Sequence, residues 1–233
     1  MQFTGLLGYV APTRLRAPQG LLLIGCLLLL LAGHTLAAEP SPSAAGPPAG
    51  QLDLRQWNFA DDGAVPLTVT WRFYPDILLK SGRADRTPQQ VQVPEIWNSR
   101  MQKDGRAGYG SGTYALTVVL PPQAKNLGLS IRTLSSAYAV YANGRPVAKA
   151  GVVGLNAAES KPAYRPQVAL LPDTDGRLEL LLQVSNFHHA RGGLWDVVSL
   201  GSYEALREQF QEALQLSMFL AGVALLLGVY HLM

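Results

Sequence analysis

The sequence predicts a mostly β protein, a two-sheet sandwich or jelly roll, followed by a helix at the C-terminal end. Three observations predict it. Residues 51–200 alternate apolar and polar side chains with a period of two. Turn signals interrupt that alternation roughly every ten residues. Residues 214–233 (LQLSMFLAGVALLLGVYHLM) hold no Asp, Glu, Lys or Arg.

The strands follow in order. Leu67, Val69, Trp71 and Phe73 alternate with Thr68, Thr70 and Arg72, which places Trp71 in a core. Tyr114, Leu116, Val118 and Leu120 alternate next, then Leu127, Leu129 and Ile131. Asn143-Gly144 lies between AYAVY and RPVAKAG, a hairpin signal, because a type I′ turn needs positive φ at both central residues. Leu178, Leu180, Leu182 and Val184 form a further strand, and Leu194–Leu200 a last one. Pro121-Pro122 and Pro172 punctuate strand ends, where a missing donor is harmless. About eight strands without a long helical period call for a sandwich, and a domain of ~150 residues buries enough surface to fold alone.

The flanks set the expected compartment. Residues 1–38 read as a signal peptide: Arg14 and Arg16 precede the apolar run Leu21–Ala32, and Thr35-Leu36-Ala37-Ala38 offers small residues for cleavage. That run is shorter than the ~20 residues a comfortable span needs. An uncleaved anchor is the alternative, and Leu23-Ile24-Gly25-Cys26 looks like a lipobox, although the apolar run continues past the cysteine. Residues 39–50 (EPSPSAAGPPAG) are a low-complexity linker. The domain occupies 51–201. Residues 202–213 change to helical spacing, with Tyr203, Leu206 and Phe210 on one side, and read as a juxtamembrane helix. Residues 214–233 are long enough to cross the bilayer. No Lys/Arg cluster follows Met233 to mark the cytoplasmic side, so the expectation is a first membrane helix of a longer chain, with the domain in the periplasm of a bacterial inner membrane.

Composition excludes several classes. The formal charge is +3, and +1 without Arg14 and Arg16, which is no basis for binding nucleic acid. Apolar residues at 48% rule out disorder of the whole chain. The one cysteine, Cys26, lies in the leader, so neither a disulfide framework nor a cysteine zinc site is expected. Asp61-Asp62 and Asp173/Asp175 lie in polar turns without a partner in a strand position, so glycosidase chemistry is not expected. Nor is any G-x-S-x-G, P-loop, H-E-x-x-H or Rossmann pattern present. The residues in hand therefore predict no catalytic group, no cofactor and no metal site.

Binding chemistry concentrates in SNFHHARGGLW, residues 185–195. Asn186, His188, His189, Arg191 and Trp195 offer donors, acceptors and an aromatic surface there, suited to a sugar or, through Arg191, a carboxylate. The competing role for Asn186 and His188 is to fix the loop by bonding backbone groups. Adjacent histidines in an extended chain point to opposite faces, which disfavours zinc. Tyr109 is expected at a loop tip and Trp97, after Pro94, at the surface; both join the candidate ligand residues.

Four stretches carry a family resemblance: VPEIWN (93–98), GYGSGTYALTVVLP (108–121), YANGRPVAKAGVVG (141–154) and SNFHHARGGLW. With GVYHLM (228–233), they make residues 51–233 resemble the bacterial seven-transmembrane receptors with diverse intracellular signalling modules (7TMR-DISM). That resemblance implies a periplasmic jelly-roll sensor, a set of membrane helices and a cytoplasmic output such as a diguanylate cyclase or histidine kinase. The first three stretches also resemble the galactose-binding-like domains of some glycoside hydrolases. The implied function is periplasmic sensing of a carbohydrate or small polar molecule, transmitted through the juxtamembrane helix. A homodimer through the membrane helices is one implied partner arrangement. The alternative is a membrane-anchored carbohydrate-binding module without signalling.

Overall fold

A computed structural model describes residues 50–81, 84–132, 134 and 137–232. The signal peptide expected over 1–38 and the linker of 39–50, Gly50 excepted, lie outside the described residues. In chain order the strands are β1 (Gln51–Asp53), β2 (Val65–Pro66), β3 (Thr70–Pro75), β4 (Gln89–Gln92), β5 (Gln102–Lys103), β6 (Arg106–Ala107), β7 (Gly110–Val119), β8 (Leu127–Ile131), β9 (Ala137–Ala142), β10 (Arg145–Ala150), β11 (Gln167–Leu170), β12 (Arg177–Asn186) and β13 (Val198–Ser202). A 3₁₀ turn covers Trp97–Ser99, and one helix, α1, runs from Tyr203 to Leu232.

The larger sheet has the order β10-β9-β12-β7-β3-β4, with β1 added parallel to β7; the smaller has the order β11-β8-β13-β2. From β7 the chain passes to the smaller sheet for β8, back for β9 and β10, over for β11, back for β12 and over again for β13. This repeated exchange is the jelly-roll form of a sandwich. The expected fold class is the one found. β9 and β10 are joined at Asn143 and Gly144, whose φ values of 48° and 76° fit the expected hairpin turn.

Alternation explains the core. Phe73, Tyr114, Leu116, Val118, Leu180 and Leu182 of the larger sheet meet Leu129, Ile131, Val198 and Leu200 of the smaller in one buried cluster, together with Trp71. Burying each such side chain stabilises by about 1.5–3 kcal/mol before conformational entropy is charged against it. β7 is also buried on its other face, which the alternation does not announce. There Ile77 and Leu79 pack on Tyr74, Ala115 and Leu181. Thr113 Oγ1 donates to the Ile77 carbonyl (2.6 Å) and accepts from the Leu79 amide (2.9 Å), while Gln183 Nε2 donates to the Leu79 carbonyl (2.9 Å). Residues 77–79 thus strap the outside of the sheet.

The two ends of the sandwich differ. Gly110 opens β7 beside Asn186, which closes β12, so the loops before β7 and after β12 meet at one end. β7 ends beside Arg177, and the chain then leads to Leu127, paired with Ser202 where α1 begins. Ten residues of strand separate these ends by ~30 Å. The last strand starts at Val198 and not at Leu194 as the sequence suggested, because residues 192–194 pair with a different segment.

α1 runs without a break from Tyr203 to Leu232, across the boundary expected between residues 213 and 214. It is long and apolar enough to cross a membrane. Its first turn docks on the sandwich. The Tyr203 amide donates to the Asn126 carbonyl (2.8 Å), Leu206 is buried, and α1 packs on β8, β11 and β13. Gly128 makes that approach feasible, and Gly201 lets the segment before β2 lie close to the start of the helix. A methyl added to Gly128 would lie 3.1 Å from Tyr203 Cα, and one added to Gly201 would lie 2.8 Å from Ala64 Cβ.

Candidate functional site

At the end away from α1, residues 94–98 and 191–195 form a short two-stranded ribbon. The Glu95 amide donates to the Leu194 carbonyl (2.7 Å) and the Trp97 amide to the Gly192 carbonyl (3.1 Å). The return bonds come from side chains. The Leu194 amide donates to Tyr114 Oη (3.3 Å) and the Gly192 amide to Asn98 Oδ1 (3.1 Å). Asn98 Nδ2 also donates to the Ala190 carbonyl (2.6 Å), so its side chain extends the ladder as a peptide group would.

Burial alternates over residues 94–97, as along a strand, whereas on the facing segment Gly192, Gly193 and Leu194 are all buried, with Gly193 at a φ of 107°. Trp97, Gly192 and Leu194 are buried, and the Glu95 side chain is only 9% exposed. Pro94, Ile96, Arg191 and Trp195 are exposed, Ile96 at 49% and Trp195 at 36%. Arg191 and Trp195 are thus the exposed side chains flanking the buried Gly192–Leu194 stretch, and Ile96 is exposed on the facing segment.

The inner side is a closed network. Tyr114 Oη donates to Glu95 Oε1 (2.9 Å), and Arg100 donates to Glu95 Oε2 (2.8 Å). Burial first, and then the Glu95 charge, hold the Tyr114 hydroxyl well above the ordinary tyrosine range. Trp97 is fully buried, in contact with Phe73 and stacked on Tyr114, and its Nε1 donates to the Gly108 carbonyl (2.9 Å). The expectation of an exposed Trp97 is corrected: the alternation of the ribbon turns it inward, and neither ring face is open to a ligand.

Asn186 is likewise fully buried. Its Nδ2 donates to the carbonyls of Gly108 (2.8 Å), His189 (2.8 Å) and Arg191 (3.1 Å), and its Oδ1 accepts from the His189 amide (3.0 Å). Asn186 is thus the pin of the loop and not a ligand group. Its competing backbone-bonding role is the one the structure shows. His188 is exposed, with Nε2 3.1 Å from the Ser160 carbonyl. His189 is exposed at the loop surface.

Tyr109 is half-buried, and its ring meets the buried Phe187 edge-on at 6.3 Å. Arg106, at the tip of the β5–β6 hairpin, lies over the Tyr109 ring at 5.3 Å and donates to its hydroxyl at 3.2 Å. Lys103 sits 5.6 Å from the Phe187 ring and donates to the Leu155 carbonyl (3.0 Å). Among the described residues no group of three His, Cys, Asp or Glu could hold a metal ion.

Sequence reasoning missed Asn98, Ile96, Arg106 and Lys103. The two halves of the ribbon are some 90 residues apart, with 92 separating Asn98 from Ala190, so no local pattern links them. One signal was readable: P-E-I-W alternates as a strand does, and G-G-L-W supplies two glycines opposite a tryptophan.

No protein-family model and no curated protein matches the chain. Solved structures similar to it include a GH2 β-galacturonidase from Eisenbergiella tayi bound to galacturonate, at 20% identity over 59% of this chain and a TM-score of 0.42. A Ruminococcus gnavus β-glucuronidase in complex with uronic isofagomine matches at 14% identity over 59% and 0.44. A GH2 member from Bacteroides cellulosilyticus DSM 14838 matches at 13% over 59% and 0.47. The matches cover 24%, 27% and 20% of those chains, respectively. The chain thus spans at most about a quarter of their length.

Proposed function

We propose that this chain is the sensing part of a membrane receptor, resembling the 7TMR-DISM group, with its β domain outside an inner membrane and α1 as its first span. The ligand is a carbohydrate or a small polar molecule, bound on the outer surface of the 94–98/191–195 ribbon. No catalytic role is proposed for the residues in hand.

One observation carries this reading. The exposed Trp195 continues through Asp196, Val197 and β13 directly into α1, whose first turn is docked on the sandwich. A ligand that favours one ribbon conformation has a short covalent path to the helix. It shifts the helix only as far as its affinity differs between the two states. A plain tether would need neither the docked Leu206 nor the close approach of Tyr203 at Gly128.

The test is hydrogen exchange on the full chain in detergent, with and without a ligand found by calorimetric titration of a sugar and carboxylate panel. The expected result is weaker binding by Trp195→Ala and Arg191→Ala, and ligand-dependent exchange at residues 203–210. Binding without any change at 203–210 would favour the alternative, an anchored carbohydrate-binding module that does not signal.

A further inference from the structure

We infer that the ligand of this end carries a carboxylate, and that Arg106 and Arg191 hold it together beside the Tyr109 ring. This rests on the ligand-site reading above and names the chemistry of its ligand.

Geometry brings the chain segments that carry the two arginines into one neighbourhood. The single Nδ2 of Asn186 bonds the carbonyls of both Gly108 and Arg191. The backbones at 108 and 191 therefore lie within about 6 Å of each other, two hydrogen-bond lengths through one atom. Arg106 is two residues before Gly108 and leans over Tyr109, the residue after it. Tyr109 in turn rests on Phe187, the residue after Asn186. One buried amide thus ties the Arg106 hairpin and the Arg191 loop together.

Neither guanidinium has an ion pair among the described residues, and most nearby carboxylates are already engaged. Glu95 is taken by Arg100 and Tyr114. Asp196 is taken by Arg132 and the Val197 amide. Glu159 accepts from the Leu155 amide and from Asn156, and Asp76 lies 3.6 Å from Lys103. Asp104 occupies the hairpin turn just before Arg106, with φ of 53°. With Lys103 facing Asp76, Arg106 and Arg191 are set against the one carboxylate of Asp104, which leaves this surface with a net positive charge. A guanidinium laid over an aromatic ring loses little freedom on binding and offers a planar fork that matches a carboxylate in two bonds. The exposed Trp195 and Ile96 of the same ribbon offer apolar contact to the uncharged part of the same molecule.

The experiment is calorimetric titration of the full chain in detergent with glucuronate, glucose and succinate, at low and at physiological salt. A carboxylate ligand predicts that glucuronate binds, that glucose binds at least about ten-fold more weakly, and that added salt weakens glucuronate alone. Arg106→Gln and Arg191→Gln should each weaken glucuronate by about ten-fold, while Arg145→Gln, at the far end of the sandwich, should not. Succinate binding equal to glucuronate would assign a free dicarboxylate in place of a sugar acid, with the same two arginines. Glucose binding as well as glucuronate, insensitive to both substitutions but lost in Trp195→Ala, would overturn the carboxylate and leave the ligand site standing. Loss of neither in any variant would overturn both, and no binding of either carboxylate would overturn the inference itself.

Discussion

The two ends of the sandwich are built by different means. At the ribbon end, side chains bond backbone: Asn186, Asn98, Tyr114 and Trp97 each close a loop that the ladder does not reach. At the helix end, backbone approaches backbone, the helix start at Gly128 and Ala64 at Gly201, and the first helical amide is met by the Asn126 carbonyl. The first construction holds an exposed, charged surface in a fixed shape. The second makes a close joint with few polar groups. A ligand site needs the former and a mechanical junction the latter, so the difference separates the parts that bind from the parts that connect.

The largest loss is expected at Gly192, in the ribbon end. A methyl there would lie 1.9 Å from Trp97 Nε1 and 2.3 Å from the Gly108 carbonyl, both fixed in the buried network. Gly192→Ala is expected to cost about 3 kcal/mol or more and to lower Tm by about 10 °C in thermal unfolding. An unchanged Tm would mean that the ribbon is not closed as described.

Asn186→Ala comes next. It strips the His189 and Arg191 carbonyls and the His189 amide of their partner and leaves the Gly108 carbonyl to Trp97 alone, for an expected loss of about 2–3 kcal/mol by denaturant titration. Asn186→Asp keeps the acceptor for the His189 amide but loses every donor, so it should rescue little. Full rescue by the aspartate would show that the donated bonds do not hold the loop.

Much of the fold was legible because it is local. The alternation of Tyr114, Leu116 and Val118 sets an inner face, and Asn143-Gly144 sets a hairpin, whatever lies elsewhere. What was not legible depends on distant partners. Trp97 reads as a loop tryptophan until Gly192 and Gly108 are placed against it. The strap over β7 needs Thr113 and Gln183 to meet Ile77 and Leu79, which lie 34 to 104 residues away. At the site, the sequence marked the loop of 185–195 but not its far wall. It listed Asn186 beside Arg191, although one is the pin and the other the exposed group, because composition does not tell a buried amide from an open one.

Tyr114 gives a smaller, pH-dependent effect at the ribbon end. Its hydroxyl is held above the ordinary tyrosine value by burial and by Glu95. The folded state therefore keeps a proton that the unfolded state loses above pH ~10. The sign follows: this contribution is complete below that pH and is lost as pH rises through the folded value. Tyr138, raised chiefly by burial, contributes with the same sign. Tyr114→Phe should cost about 1 kcal/mol at pH 7, from the unpaired Leu194 amide, and should lessen without abolishing the fall in stability between pH 9 and 11. Unfolding by denaturant across that range measures it. An alkaline slope equal to wild type would remove Tyr114 as its source.

The smallest effect on stability, and the sharpest test of the joint, is expected at Gly128. A methyl there would meet Tyr203 Cα and Cδ2 at 3.1 Å and the Ala169 carbonyl at 3.3 Å. These contacts are tight and not impossible, so the helix start has to move by a few tenths of an ångström. Gly128→Ala should lower stability by about 1 kcal/mol or less, a Tm change of roughly 2–4 °C, because the added methyl also favours a strand conformation. Its main consequence should be local. The Tyr203 amide, now bonded to the Asn126 carbonyl, should exchange faster, as should the amides that follow it up to Phe210. Exchange at Trp97 and Leu194, at the ribbon end, should stay as in wild type. If both ends change together, the sandwich behaves as one unit and the division between a binding end and a connecting end fails. If neither changes, the approach at Gly128 is looser than the packing of Tyr203 implies, and α1 is held by Leu206 alone.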